Sequence, residues 1–186
     1  MKIKEILERN PVIPAIKDKE TFETALISNN EIVFVIMSNI INIKEICAEL
    51  KSKNKIVFVH VDMIDGLTSS NFGVDYIVNM VKPDGILTTK SNVVAHAYKN
   101  NIKVIQRFFI LDSFSYEKTL QNIKENKIIA AEIMPGLMPK IIKKISSQIY
   151  QPLITGGLVS EKEDIINALN AGALSVSTTN IKLWDI

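Results

Sequence analysis

PLITGGLVSEKEDIINALNAGALSVSTT, residues 152–179, holds one complete structural unit. PLITGG (152–157) is an apolar run of strand length that ends in two glycines. EKEDIINALNAG (161–172) places apolar residues at helical spacing, with Ile166 and Leu169 as one pair. ALSVSTT (173–179) is a second short apolar run that ends in hydroxyl side chains. Ser160 with Glu163 reads as a capping box that opens the intervening helix.

The same strand-then-helix unit recurs outward along the chain. Apolar, β-branched runs read PVIPAIK (11–17), EIVFVIM (31–37), KIVFVHVDMI (55–64), DGILTT (84–89), KVIQRFFI (103–110) and KIIAAEIM (127–134). Helical spacing marks ETFETALIS, NIKEICAELKSK, SNVVAHAYKNN, SYEKTLQNIKEN and LMPKIIKKISSQ between them. The strands are apolar on both faces, the mark of a parallel sheet covered by helices. Eight such strands predict a compact (β/α)₈ barrel, of TIM type, in a single domain spanning residues 1–186. An open doubly wound sheet would put its glycine-rich phosphate turn after the first strand. That strand ends in Lys17-Asp18-Lys19, and the glycines follow the seventh strand instead. A barrel in 186 residues must have short loops. The longest strand-to-helix loop is DGLTSSNFG (65–73).

Composition narrows the class. Apolar residues make up 47% and charged residues 23%, ordinary usage for a soluble domain. No apolar run reaches the ~18 residues of a membrane span, and MKIKEILERN lacks the apolar core of a secretion signal. A cytoplasmic location without membrane partners is the expectation. The one cysteine, Cys47, reads as an inert core thiol. Lys plus Arg number 22 against 20 acidic residues, a balance that neither demands nor excludes nucleic acid.

Barrels of this kind bind ligands at the C-terminal ends of their strands. Alternation puts Phe58, His60 and Asp62 on one face and the three valines 57, 59 and 61 on the other, under helices. It also gathers Lys17 and Glu132 at strand tops. Gln106 and Arg107 are adjacent, so one faces in and one out, and alternation does not decide which. Lys90 closely follows the fourth strand. Lone buried carboxylates are costly, so Asp62 and Glu132 need partners, for which Lys17, Lys90 and Arg107 are candidates. The loops after strands seven and eight form the recurrent phosphate site of these barrels. Gly156 and Gly157 let backbone approach an anion, and Ser177, Thr178 and Thr179 add donors. IKLW (181–184) reads as the start of a short helix facing the same place.

Taken in order, PVIPAIK, HVDMIDG, PDGILTTK, QRFFILDS, EIMPGLMPK, ITGGLV and ALSVSTTNIKLW resemble the glycerol uptake operon antiterminator regulatory proteins, the GlpP family. The likeness runs from residue 11 to the C-terminus. It implies a (β/α)₈ barrel that senses glycerol 3-phosphate as effector, uses no cofactor or metal, and acts on a leader mRNA so that transcription passes a terminator. It implies that the effector's phosphate rests on Gly156, Gly157, Ser177 and Thr178, with its hydroxyls toward Asp62, Glu132, Lys17 or Arg107.

Two other classes stay open on the residues alone. One is a small barrel enzyme, an isomerase, epimerase or phosphodiester hydrolase acting on a phosphorylated three-carbon metabolite. Short loops that provide no obvious lid count against it, and no catalytic residue is assigned. The other is a phosphate-binding barrel that works through protein partners; a homo-oligomer is compatible with either. For RNA, the visible basic patch is Lys140, Lys143 and Lys144 at i, i+3, i+4 on one helix.

Overall fold

The computed structural model describes residues 3–185. Ten strands occur: β1 (Val12–Ile16), β2 (Ile32–Val35), β3 (Ser38–Asn39), β4 (Ile56–His60), β5 (Ile64–Asp65), β6 (Gly85–Thr88), β7 (Val104–Phe109), β8 (Ala130–Met134), β9 (Leu153–Gly156) and β10 (Ser175–Thr178). Eight of them close a parallel barrel in the order β1-β10-β9-β8-β7-β6-β4-β2. The predicted (β/α)₈ barrel is the fold. Strands seven and eight of the sequence are β9 and β10.

The helices are α1 (Ile3–Arg9), α2 (Lys19–Ile27), α3 (Ile43–Ser52), α4 (Asn71–Tyr76), α5 (Ser91–Lys99), α6 (Ser113–Glu125), α7 (Pro139–Ser146) and α8 (Lys162–Asn170). Tight connections come from capping boxes. Asp18 accepts from the Thr21 N–H at 2.9 Å and starts α2, and Asp112 does the same with Ser115 at 2.7 Å for α6. The start of α8 departs from expectation. Asp164, not Glu163, closes it, accepting from the N–H groups of Ser160 (2.9 Å) and Glu161 (3.0 Å).

Two hydrophobic layers result. One packs the outward strand faces, including Val57, Val59 and Val61, against the helices, with Cys47 inside it. Burial pushes the Cys47 thiol up to about 12, consistent with an inert thiol. The second layer fills the barrel interior with Ile13, Phe34, Phe58, Leu87, Ile105, Ala130 and Ile154. Phe34 and Phe58 meet edge to face, with ring centroids 6.1 Å apart.

Three features have no counterpart in the sequence reading. Helix α1 closes the N-terminal end of the barrel: Ile6 and Leu7 join the interior cluster, and Ser175 Oγ donates to Leu7 O at 3.0 Å. The short strands β3 and β5 form their own parallel ribbon above the barrel. The strand expected over 55–64 ends at His60 and continues as a 3₁₀ turn (Val61–Met63) and β5; the loop expected over 65–73 spans 66–70, and α4 then runs into one π-helical turn (Ile77–Val81).

Candidate functional site

The register of β7 on β8 sets Arg107 opposite Glu132. Both face the barrel interior and both are buried, Arg107 at 5% and Glu132 at 0% exposure. Arg107 Nε donates to Glu132 Oε2 at 2.7 Å, and Ser177 Oγ donates to Glu132 Oε1 at 2.5 Å. The carboxylate thus has a charge partner and a hydroxyl donor, which its burial demands. Gln106 is the outward residue; its carbonyl accepts from Asn126 Nδ2 at 2.7 Å.

Gly156 is required beneath this network. It pairs with Ser177 across β9 and β10, and a Cβ there would lie 2.2 Å from Ser177 Oγ and 2.9 Å from Ser177 O. Gly157 has a different reason. Its φ is +77°, and Leu158 follows at +62°, so the chain turns left-handed over two residues. A non-glycine residue held there is backbone strain of the kind that clusters at binding sites. Gly157 O accepts from the Gly136 N–H at 3.0 Å, which ties this loop to the one after β8.

Above the network lies a cavity of about 130 Å³, lined by Arg107, Met134, the backbone turn Gly157–Val159, and Ser177, Thr178 and Thr179. Ala15 and Ile36 close it on the β1 and β2 side. Arg107 spends only Nε on Glu132; among the described residues its two Nη groups have no hydrogen-bond partner. A guanidinium with four uncommitted donors therefore lines a small space rimmed by turn backbone. That is an arrangement for a tetrahedral or planar anion. The Thr178 hydroxyl is occupied locally, accepting from the Asn180 N–H at 3.1 Å. IKLW forms only a 3₁₀ turn, Ile181–Leu183.

The structure therefore brings Arg107, Glu132, Gly156, Gly157, Ser177 and Thr178 together. It does not bring Lys17 or Lys90 to this cavity. Lys17 is exposed and lines a separate cavity beyond the β1 and β2 ends, and Lys90 is exposed at the start of α5. Neither compensates Glu132 or Asp62. Asp62 sits in the 3₁₀ turn after β4 and accepts from Thr89 N (2.7 Å), Thr89 Oγ1 (2.9 Å) and Thr88 Oγ1 (3.0 Å). Burial alone would raise its carboxyl, but the Thr89 and Thr88 donors outweigh that and hold it below the usual value. His60 is buried and neutral. Burial, then the nearby Arg107 charge, pushes it down to about 4, and its Nδ1 has no partner among the described residues. Among the described residues there is no group of three or more His, Cys, Asp or Glu side chains placed to hold a metal. Cavity residues missed in the sequence are Ala15, Ile36, Met134, Leu158 and Val159. Nothing in the sequence signals a leucine at positive φ.

Lys140, Lys143 and Lys144 are all exposed on α7, and among the described residues none is in an ion pair. No helix among the described residues is long and apolar enough to cross a membrane.

Residues 12–184 match a family described as glycerol-3-phosphate responsive antiterminator. An uncharacterized Escherichia coli (strain K12) protein, YgcP, is 34% identical over 186 residues, covering 100% of this chain and 97% of that one. The crystal structure of a glycerol uptake operon antiterminator regulatory protein from Listeria monocytogenes str. 4b F2365 superposes with a TM-score of 0.88 at 27% identity, covering 93% of this chain and 94% of that one. A glycerol uptake operon antiterminator-related protein from Thermotoga maritima MSB8 gives 0.84 at 30% identity, with 95% and 99% covered.

Proposed function

Because the chain belongs to the glycerol-3-phosphate responsive antiterminator family, we propose that it is a glycerol 3-phosphate sensor that binds a leader mRNA and turns over no substrate. The observation that carries the reading is the buried Arg107, which spends only Nε on Glu132 and lines the cavity with the Gly157–Val159 turn and Thr178–Thr179. In this reading the phosphate lies between the fork and those two loops. The glycerol hydroxyls lie toward the barrel axis, where the Nδ1 of His60 has no partner among the described residues. Charge recognition falls to Arg107 and the turn backbone, not to Lys17 or Lys90.

The working groups favour holding over turnover. Glu132 is locked between Arg107 and Ser177, and Asp62 is a weakened base under its threonine donors. Isothermal calorimetry with glycerol 3-phosphate tests the reading on wild type and Arg107→Lys. Lysine keeps the positive charge beside Glu132 but loses the fork. Affinity should fall at least tenfold, about 1.4 kcal/mol, while the ligand-free melting temperature stays close to wild type. Equal affinities would remove Arg107 from the site. NMR of protein incubated with glycerol 3-phosphate, with and without Mg²⁺, should show no product; conversion lost in Glu132→Gln would establish an enzyme instead.

A further inference from the structure

A second cavity, of about 460 Å³, lies on the same end of the barrel, between α2, the β3–β5 ribbon and α3. It backs onto the first. Ala15 and Ile36 face the anion cavity, whereas their neighbours Ile16 and Met37 line the second. Ile16 O, accepting from Ile36 N (2.9 Å) and Met37 N (3.3 Å), lies in the wall between them.

Its lining is specific. Phe22, Met37 and Met63 give apolar walls. Ser38 carries a buried hydroxyl that has no hydrogen-bond partner among the described residues, a state that costs free energy. Among the described residues, Asn39 and Asn42 use only their side-chain carbonyl oxygens. Asn39 Oδ1 accepts from the N–H of Ile41 and Asn42, each at 3.0 Å, and Asn42 Oδ1 accepts from Asn39 N at 3.1 Å. Both amide NH₂ groups are left as fixed donors. Lys17 lies at the edge and is in no ion pair among the described residues. Of the two acidic side chains in the lining, Asp18 is occupied in capping α2 and Asp65 is exposed.

Flat apolar walls, in-plane amide donors and a free cation at the mouth fit a nucleotide: the ring between Phe22 and the methionines, its acceptor edge on Asn39 and Asn42, its phosphate on Lys17. We infer that this cavity takes one unstacked nucleotide of a single-stranded RNA segment. The inference rests on the reading of the protein as an RNA-binding regulator, and it supplies the base contact that the α7 lysines lack.

The test uses an RNA pool enriched by rounds of selection on the full wild-type chain at saturating glycerol 3-phosphate. Filter binding then compares wild type with Lys17→Met, Met63→Trp and Asn39→Asp/Asn42→Asp. The aspartates keep every carbonyl-type acceptor that holds the ribbon and replace each donor by a negative charge that a base's acceptor edge and the RNA phosphates repel. Tryptophan fills the space without charge. Each variant should bind the selected RNA at least tenfold more weakly, while glycerol 3-phosphate affinity without RNA stays unchanged. Wild-type RNA affinity in all three would overturn the cavity assignment and leave the RNA reading standing. A pool that never enriches would overturn both. Free AMP, GMP, CMP and UMP form the last arm: if one of them binds and shifts the Asn39 and Asn42 side-chain amide resonances while no RNA is retained, the cavity belongs to a soluble nucleotide and the inference fails.

Discussion

Arg107 and Glu132 show how one residue's burial dictates another's identity. A carboxylate at 0% exposure survives only with a charge partner and a second donor, and β7, β8 and β10 deliver them. Their opposition was legible in part: both lie on neighbouring apolar strands near the same height. Which of Gln106 and Arg107 turned inward was not legible, because alternation is symmetric until the closed barrel fixes an inside. His60 gives a pH prediction. Its folded-state value of about 4 lies below the ordinary 6.5, so the unfolded chain binds more protons between those pH values. Stability is therefore full above about pH 6.5 and declines as pH falls toward 4, by on the order of 3 kcal/mol. Urea unfolding from pH 7 to pH 4 should show this loss, and His60→Gln should flatten it. An unchanged slope in that variant would place the protonation elsewhere.

At the scale of elements, the long apolar strands and amphipathic helices were readable because burial on a known face imposes a period. The misses are short or polar. Helix α1 spans seven residues, and the charges of its solvent side conceal the Ile6–Leu7 face that fills the barrel floor. Strands β3 and β5 have two residues each, too few for any period, and only their pairing defines them. Helix α7 was legible and carries a prediction of its own. Its three exposed lysines form a basic face, and each phosphate neutralised on a single strand contributes about −0.7 to the slope of log affinity against log salt. Lys140→Glu/Lys143→Glu/Lys144→Glu should flatten that slope by up to ~2 in filter binding with the selected RNA. Its glycerol 3-phosphate affinity should match wild type. A wild-type slope would take α7 out of the RNA surface.

Across the whole molecule, the barrel order sets the sites in a row. The proposed nucleotide cavity lies at the ends of β1 and β2, α7 follows β8, and β10 and β9 stand between them. The loops after β9 and β10 carry Gly157 and Thr179, so an RNA strand reaching both outer sites crosses the anion cavity. Ligand that orders those loops should tighten RNA binding, with a coupling typical of linked sites, roughly 5- to 150-fold. Linkage makes this reciprocal: saturating RNA should tighten glycerol 3-phosphate by the same factor, measured by calorimetry with and without RNA. Different factors in the two directions would rule out a direct two-site equilibrium. The sequence by itself determined the barrel, the order of its strands along the chain, and the place of the two glycines and the hydroxyl side chains after the seventh and eighth, because periodicity and glycine position are local properties. Only the tertiary structure decided that Arg107, not Lys17 or Lys90, lines the cavity those two loops rim. It alone also showed that Lys17 opens onto a different cavity, since the direction of a side chain at a strand end depends on closure and on the ribbon that packs above it.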